Sequence, residues 1–319
     1  MTAPVGWGFL GAGYIARAAL APAVHSADGA ELVAAGARDM ARAAALGPRG
    51  TAYGSYDEVL ADPRVEAVYI ALANDDHRPW AERALAAGKH VLCEKPLGLT
   101  AAEVRSMAAT ARSADRLLVE ASWNRWHPRT RRAEALLRTG AIGTIRRVEA
   151  GFTFAGVAGD NYRLDPARGG GALYDVGCYA TAAALWATGF TPLQAAGATH
   201  RLSATGVDLT TEAVLSFGSA EAFVHCSIDE DGGQWLRVEG DRGTLALDGN
   251  AAFTSWLSPS TLTVSIGSET RVEHFAPVDP YRVMVERVSA AIRDVPGAWV
   301  LPLDESVRVA EALDLIRAA

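Results

Sequence analysis

Two short segments carry residue types suited to redox chemistry on a carbonyl or a hydroxyl. Glu94-Lys95-Pro96 ends a short apolar run at residues 90–93. A glycine-rich turn at residues 11–16 lies far upstream, directly after an apolar segment near the N-terminus. In doubly wound parallel sheets, ligands bind at the carboxyl ends of the strands. Together the segments predict a nucleotide-dependent oxidoreductase with the Lys95 ammonium at the reacting oxygen.

The turn has the spacing Gly11-x-Gly13-x-x-Ala16. The first glycine permits a tight turn, the second lets a pyrophosphate approach the backbone, and the third position needs only a small residue. The phosphates are expected at the N-terminus of the following helix, where free amides and the helix dipole favour negative charge. We therefore predict cofactor contacts at Gly11, Gly13, Tyr14 and Ile15. A plain strand-to-helix turn is the alternative, but the position after an N-terminal strand favours the cofactor.

The end of the second predicted strand bears on the choice of cofactor. NAD sites usually place Asp or Glu there, whereas this chain has Ala37 followed by Arg38. A guanidinium without a neighbouring carboxylate at that position suits the 2′-phosphate of NADP. We therefore predict NADP(H) in preference to NAD(H), with Arg38 as a contact. The alternative is a solvated arginine at a helix entry, and Asp39 beside it weakens the prediction.

The order of apolar segments predicts two domains. Strands at residues 5–10, 31–37, 67–73, 90–94 and 117–121 alternate with helices, as in parallel βαβ units. This predicts an α/β Rossmann domain over residues 1–121. Residues 122–319 are predicted to form an α+β domain with a mostly antiparallel sheet. That domain has alternating runs such as 147–154, 213–217, 222–228, 235–238 and 262–266, and helices at 128–138, 172–187, 281–292 and 306–316.

Composition excludes several other classes of protein. The chain has 319 residues, of which 50% are hydrophobic, with a net charge of -7, which argues against a nucleic-acid partner. No apolar run is long enough to span a bilayer, and the N-terminus does not resemble a signal peptide. Cys93, Cys178 and Cys226 lie far apart without ligand spacing. We therefore expect reduced thiols, no metal site, no membrane association and a cytoplasmic location.

Five segments resemble the Gfo/Idh/MocA (glucose–fructose oxidoreductase/inositol dehydrogenase) family over nearly the whole chain. They are residues 8–13, Asn74 with His77, residues 88–96, residues 139–143 and residues 170–179. The resemblance implies a Rossmann domain followed by a domain with a large open, mostly antiparallel sheet. It also implies a homodimer or homotetramer formed through that sheet. One departure is Ala73 before Asn74, where proline is common.

The segment Asp175-x-Gly177-x-Tyr179 resembles the subgroup of sugar dehydrogenases, dimeric dihydrodiol dehydrogenases and ketosugar reductases. The resemblance implies that Tyr179 and Lys95 are the catalytic pair. A phenol, with a reference pKa of about 10, suits alkoxide chemistry but is a weak acid unaided. A nearby ammonium stabilises the phenolate and lowers its pKa, so Tyr179 exchanges the proton and Lys95 assists. Asp175, one helical turn earlier on the same face, is expected to orient the substrate or Lys95.

Each of these residues also has a purely structural interpretation. Without the resemblance, Tyr179 is an aromatic that packs on the sheet, and Asp175 is a helix-start carboxylate. Glu94 is expected to pair with Lys95 or to cap a buried charge. Asn74 is expected to contact the nicotinamide ribose or amide, with a turn residue as the alternative, and His77 is a further predicted cofactor contact.

Two segments supply candidate substrate contacts. Arg163 is expected to bind substrate hydroxyls or a phosphate. Trp126 belongs to an aromatic and basic cluster with Trp123, Arg125 and His127, in which a tryptophan could stack on a sugar. Packing at the domain junction is an equally good explanation for each member of the cluster.

The predicted function is NADP-dependent hydride transfer between nicotinamide and a sugar, polyol or ketosugar. One alternative is a reductase of nucleotide-linked ketosugars, which needs a second anionic pocket that Arg163 and Arg168 could supply. Another is a regulatory protein that binds the cofactor without turnover, against which the retained Lys95 and Tyr179 argue. Pro96 restricts Lys95 to extended backbone, and the resemblance implies a cis bond between them.

Overall fold

The computed structural model describes residues 3–157, 159–247 and 251–319. The chain divides into two compact units. The first contains the residues up to Trp123 together with Asp279–Ser306, and the second contains Asn124–Val278 with Val307–Ala319. The domain boundary after residue 121 stays a prediction, and the first compact unit also takes in a later stretch of the chain.

The first unit is built on a parallel sheet of six strands in the order β3-β2-β1-β4-β5-β6. This order confirms the predicted Rossmann-type fold. The strands are β1 (Val5–Leu10), β2 (Ala30–Gly36), β3 (Thr51–Tyr53), β4 (Ala67–Ile70), β5 (His90–Cys93) and β6 (Leu118–Glu120). The sequence did not predict β3, because a three-residue edge strand is too short to show a hydrophobic period.

Helices cover this sheet, and a side chain caps the start of three of them. A π-helical turn (Ala16–Leu20) runs into α1 (Ala21–Ser26), followed by α2 (Met40–Ala44), α3 (Tyr56–Ala61), α4 (Asn74–Ala86) and α5 (Ala101–Ala114). The side chains of Asp39, Ser55 and Thr100 each accept a backbone N–H at the start of α2, α3 and α5.

Helix α4 begins at Asn74, six residues before Trp80, although the apolar pattern of the helix starts only near Trp80. The first turn of α4 is polar and Pro79 lies inside the helix, so the periodic spacing of apolar residues that marks a helix is missing from its first part. Asp75 and Asp76 in that turn stabilise it through the helix dipole.

The second unit contains a sheet of eight strands in the order β14-β13-β12-β11-β7-β10-β9-β8. Only β7 and β10 pair in parallel among the described pairs, so the sheet is mostly antiparallel, as predicted. The strands are β7 (Ile145–Thr153), β8 (Ala195–Leu202), β9 (Asp208–Phe217), β10 (Ala220–Ser227), β11 (Gly233–Gly240), β12 (Gly243–Leu247), β13 (Ser260–Ile266) and β14 (Glu269–Phe275).

Helices of the second unit include α6 (Pro128–Arg138) and α7 (Cys178–Ala187), and α7 packs on β7, β10 and β11. Nearly every residue of α7 is buried, so α7 forms the centre of this unit's core. A π-helical turn (Leu173–Gly177) leads into it. The chain ends with α8 (Pro280–Ile292), which belongs to the first unit, and α9 (Leu303–Ala318).

Cys93, Cys178 and Cys226 are buried and free. Within residues 3–157, 159–247 and 251–319, no helix is both long and apolar enough to cross a membrane. The same residues contain no group of three His, Cys, Asp or Glu side chains that could hold a metal ion.

Candidate active site

The glycine turn follows β1, at the carboxyl edge of the parallel sheet. Gly11 has a φ of 100°, and a Cβ there would lie 2.5 Å from the carbonyl oxygen of Ala71 in the loop after β4. Because β1 and β4 are neighbours in the sheet, the two loops are forced together. Only glycine satisfies both the left-handed conformation and the close approach.

Gly13 is different, because a Cβ there would meet only the Ala71 carbonyl oxygen, at 3.9 Å. The space beside its backbone is open. Tyr14 and Ile15 begin the following helix, Tyr14 is exposed, and Ala16 is completely buried. The turn thus combines an open backbone surface with a helix N-terminus, which fits the pyrophosphate of a dinucleotide.

Two arginines lie where the second strand ends. Arg38 is exposed directly after β2, and Arg42 on α2 donates from Nη2 to the carbonyl oxygen of Ala12, 2.9 Å away. Burial raises the pKa of the Tyr56 phenol, while the charges of Arg38 and Arg42 act against that shift. Both guanidiniums therefore lie near one phenol. The carboxylate of Asp39 instead caps α2 by accepting from the Ala41 amide at 2.9 Å.

Sequence reasoning missed Arg42, although the sequence shows a second cation four residues after Arg38, inside the helix that Asp39 caps. Its contact with the glycine turn depends on how α2 packs, which the spacing does not reveal.

Glu94 supports the backbone of Lys95 at the end of β5. Its Oε1 accepts from the Tyr69 hydroxyl at 2.6 Å, and its Oε2 accepts from the Lys95 amide at 3.3 Å. Burial raises the pKa of the Glu94 carboxyl, and the Lys95 charge partly offsets this. The Lys95–Pro96 bond is cis, and the Lys95 side chain is partly exposed. Lys95 is therefore an ammonium on a fixed backbone beside a buried carboxyl group.

His77 joins the start of α4 to the same segment. Its ring is completely buried, with Nδ1 2.8 Å from the Pro96 carbonyl oxygen and Nε2 3.3 Å from that of Leu72. Burial lowers the pKa of His77 to about 4, so the ring is neutral at pH 7 and its one N–H can donate to only one of these two oxygens. This geometry favours a positioning role for His77, while Asn74, also buried, opens α4.

Glu120 is a further supporting carboxylate that the sequence did not single out. It ends β6, accepts from the Leu97 amide at 3.0 Å through Oε1, and accepts from the Ser306 hydroxyl at 2.6 Å through Oε2. The available signal was a carboxylate at the end of an apolar strand next to the one that carries Lys95.

Tyr179 lies in the second unit, on the first turn of α7. Only 8% of it is exposed. Its ring centroid lies 5.6 Å from that of Phe152 and 6.1 Å from that of Phe253. These aromatic contacts hold the ring in one orientation.

Asp175 is paired with Arg163. The Arg163 Nε donates to Asp175 Oδ2 at 2.6 Å, and the guanidinium lies 4.9 Å above the ring of Tyr162. Burial lowers the pKa of the guanidinium, but Asp175, Tyr162 and Tyr179 outweigh it, so the pKa is raised overall. Arg163, Asp175 and Tyr179 therefore form one electrostatic group. Their predicted contacts with substrate remain predictions.

The aromatic and basic cluster has structural roles that the sequence left open. Arg125 Nε donates to Glu134 Oε1 at 2.6 Å. His127 caps α6 by accepting from the Arg129 amide at 3.0 Å, and burial lowers its pKa to about 4. Trp126 is only 3% exposed, which favours packing, and sugar stacking on it stays a prediction.

Comparison with known proteins agrees with this fold. Residues 5–122 match the model of the oxidoreductase family with an NAD-binding Rossmann fold, and residues 130–246 match the GFO/IDH/MocA C-terminal domain. The chain belongs to the GFO/IDH/MocA family of nicotinamide-dependent oxidoreductases, which confirms the resemblance read from its motifs.

Two of three similar proteins cover nearly the full length of the chain, and the third covers about two thirds of it. The chain is 36% identical over 316 residues to D-xylose 1-dehydrogenase (NADP(+)) 2 of Haloferax volcanii, covering 97% of this chain and 95% of that one. It is 36% identical over 226 residues to human trans-1,2-dihydrobenzene-1,2-diol dehydrogenase, covering 68% and 66%. The fold is also similar to the structure of KijD10, a 3-ketoreductase from Actinomadura kijaniata in complex with NADP and TDP-benzene, with a TM-score of 0.89. The two chains are 26% identical, and the match covers 99% of this chain and 97% of that one.

Proposed function

We propose that this protein is an NADP-dependent oxidoreductase acting on a sugar, polyol or ketosugar, with Lys95 and Tyr179 as the catalytic pair. The observation that carries the proposal is the support of Lys95. Its backbone is fixed by buried Glu94 at the carboxyl edge of a dinucleotide-type sheet, while its side chain stays partly exposed. The full-length similarity to a xylose dehydrogenase supports a sugar as substrate.

When bound, the nicotinamide supplies or accepts the hydride. In the direction of reduction, Tyr179 donates its phenolic proton to the substrate oxygen; in the direction of oxidation it takes that proton back. The Lys95 ammonium stabilises the phenolate and binds the same oxygen. Arg163, whose charge interacts with Tyr179, adds a second cation that favours the phenolate.

The cofactor is proposed to be NADP(H), held by Gly11, Gly13, Tyr14, Ile15 and Asn74, with Glu94 and His77 supporting the site. Arg38 and Arg42 would hold the 2′-phosphate, which two guanidiniums can bind through several hydrogen bonds. One carboxylate oxygen of Asp39 is engaged in capping α2. A lower Michaelis constant for NADH than for NADPH would overturn this assignment.

Two variants test the catalytic pair. Lys95→Met and Tyr179→Phe should each lower kcat by about 10²–10⁴-fold, the range for a lost proton-transfer group, and leave the dissociation constant for NADPH within about twofold. Turnover is followed by the absorbance of the reduced nicotinamide across a panel of aldoses, polyols, dihydrodiols and ketosugars. Tyr162→Phe serves as the control for Tyr179→Phe. Near-full activity in either catalytic variant would show the assigned roles to be wrong.

A nucleotide-linked ketosugar is the second candidate substrate, favoured by the similarity to KijD10. It requires net positive charge for a diphosphate. Arg163 does not supply that alone, because the Asp175 carboxylate at 2.6 Å compensates its charge. A nucleotide-linked ketosugar that outcompeted free sugars in kcat/KM would establish this alternative.

The open face of the second unit's sheet supports assembly into a homodimer or homotetramer. A depression of about 500 Å³ there is lined by Val214, Phe223, His225 and Trp235, among others. Val214 is 39% exposed in this depression. Light scattering should give a mass of two or four 33.5 kDa chains, and Val214→Asp should reduce it. The proposed location is the cytoplasm, in keeping with three thiols that form no disulfide.

A further inference from the structure

The helical run that carries Asp175 and Tyr179 begins at a crowded position. The chain enters it through Gly171, which has a φ of 112°. A Cβ on Gly171 would lie 2.0 Å from Oδ1 of Asp208, the first residue of β9. The carboxylate of Asp208 therefore occupies the space that a side chain at residue 171 would need.

Asp208 binds the first part of this helical run directly. Its Oδ2 accepts from the Leu173 amide at 2.7 Å and from the Thr211 hydroxyl at 2.8 Å. Burial raises the pKa of Asp208, against the opposing effect of these two donors and of His200. A partly buried carboxylate from another element therefore accepts a hydrogen bond from an amide at the helix start. The side chain of an N-cap residue plays the same part in other helices.

Thr211 and His200 support Asp208 from behind. Thr211 is completely buried, and its hydroxyl donates to the Asp208 carboxylate. The same hydroxyl oxygen therefore accepts from Nδ1 of His200, 2.8 Å away. His200 is the cross-strand partner of Thr211, on β8. Its Nε2 lies 3.2 Å from the carbonyl oxygen of Ile316 on α9. A continuous chain of polar contacts therefore runs from α9 to the amide of Leu173.

The anchored amide opens a π-helical turn, Leu173–Gly177, which changes to α-helix at Cys178. Such turns insert one extra residue per turn and occur often at functional sites. The register of Asp175 relative to Tyr179 depends on where this turn begins. Asp208 fixes that start at Leu173.

We propose that Asp208, supported by Thr211 and His200, is a positioning residue for the catalytic tyrosine. It acts through the backbone of Leu173 and touches neither Tyr179 nor Asp175 in the contacts just described. The inference rests on the proposed function of Tyr179. It assigns catalytic importance to a threonine and a histidine on an antiparallel sheet.

The test removes one hydroxyl without changing the shape of the side chain. Thr211→Val should lower kcat about tenfold, since small displacements of a catalytic group are costly, and leave the dissociation constant for NADPH unchanged. Thr211→Ser keeps the hydroxyl and should restore kcat to within about twofold. Asp208→Asn should lower kcat in the same direction as Thr211→Val. Hydrogen exchange of peptides that span residues 171–177 should accelerate in Thr211→Val and return to the wild-type rate in Thr211→Ser.

The outcomes separate this inference from the proposed function. If wild-type protein reduces or oxidises no member of the substrate panel, the proposed function fails, and the exchange measurement still decides whether Asp208 anchors the turn. Unchanged kcat and unchanged exchange in Thr211→Val overturn the inference. So does a loss of activity that Thr211→Ser fails to restore, because the lost hydroxyl would then not be the cause.

Discussion

The segments that carry Lys95 and Tyr179 are held in place in different ways. Lys95 follows a buried strand, and its backbone is fixed by the carboxylate of its neighbour Glu94 and, two residues on, by Glu120 from the adjacent strand. Tyr179 lies on a helix whose start is held by Asp208 from a distant strand. The first support combines a neighbouring residue with a carboxylate 23 residues away, and the second comes entirely from a residue 35 positions along the chain, from Leu173 to Asp208.

This difference indicates where substitutions should be tolerated. A strand end in a parallel sheet is defined by ladder hydrogen bonds and by loops that meet at one edge, so steric fit dominates. A helix start in an antiparallel unit depends on polar groups brought together by the fold, so charge and hydrogen bonding dominate. Substitutions that alter shape should therefore be most harmful in the first unit, and substitutions that remove polar partners in the second.

The largest effect is expected from Gly11→Ala. The new Cβ would lie 2.5 Å from the Ala71 carbonyl oxygen, at a φ of 100°. Overpacking costs about 1–3 kcal/mol and left-handed backbone about 1–2 kcal/mol more, so unfolding in urea should show a loss of about 3 kcal/mol or more.

Gly13→Ala is the matched control for this prediction. Its Cβ has room, so the free energy of unfolding without cofactor should change by less than about 1 kcal/mol. The dissociation constant for NADPH should nevertheless rise at least about tenfold, because the methyl group would occupy the space predicted for the pyrophosphate. Equal loss of stability in both variants would contradict the steric argument.

Much of this first unit was predictable from sequence, since its signals are local. The glycine spacing, the caps at Asp39, Ser55 and Thr100, and the strand before Lys95 each lie within a few residues of what they determine. The contacts of Arg42, Glu120 and Asp208 were not predictable, because each joins segments far apart in the chain. The sequence contains those residue types, but only the packed fold shows which backbone group each one binds.

Acid should weaken both units through buried histidines. Burial lowers the pKa of His77 and of His127 to about 4, below the value of about 6.5 in an unfolded chain. The unfolded state therefore binds more protons between these values. The neutral histidines therefore make their full contribution to the free energy of unfolding above pH 6.5, and this contribution is lost as the pH falls towards 4.

For His77 that loss amounts to about 3 kcal/mol, at 1.36 kcal/mol per unit of pKa. Urea unfolding measured at intervals from pH 7 to pH 4 should show it. His77→Gln should flatten the pH dependence by roughly that amount and destabilise the protein at pH 7. A profile that stays flat between pH 6.5 and 4 in the wild type would show that these rings take up protons as readily in the native state as in the unfolded chain.

The smallest effect, and the sharpest test of the polar support in the second unit, is expected from Asp175→Asn. Asp175 is only 6% exposed and pairs with Arg163. Removing its charge leaves the Arg163 charge uncompensated beside Tyr179. Loss of a partly buried ionic partner costs about 1–3 kcal/mol.

Asp229→Asn breaks an exposed pair with Arg201 in the same unit and should cost less than about 0.5 kcal/mol. Urea unfolding at pH 7 compares the two directly. An unpaired guanidinium favours the phenolate, so in the direction of reduction Asp175→Asn should also move the alkaline limb of the pH–rate profile to lower pH, whereas Asp229→Asn should leave it in place. Identical shifts in both variants would mean that Arg163 does not act on Tyr179.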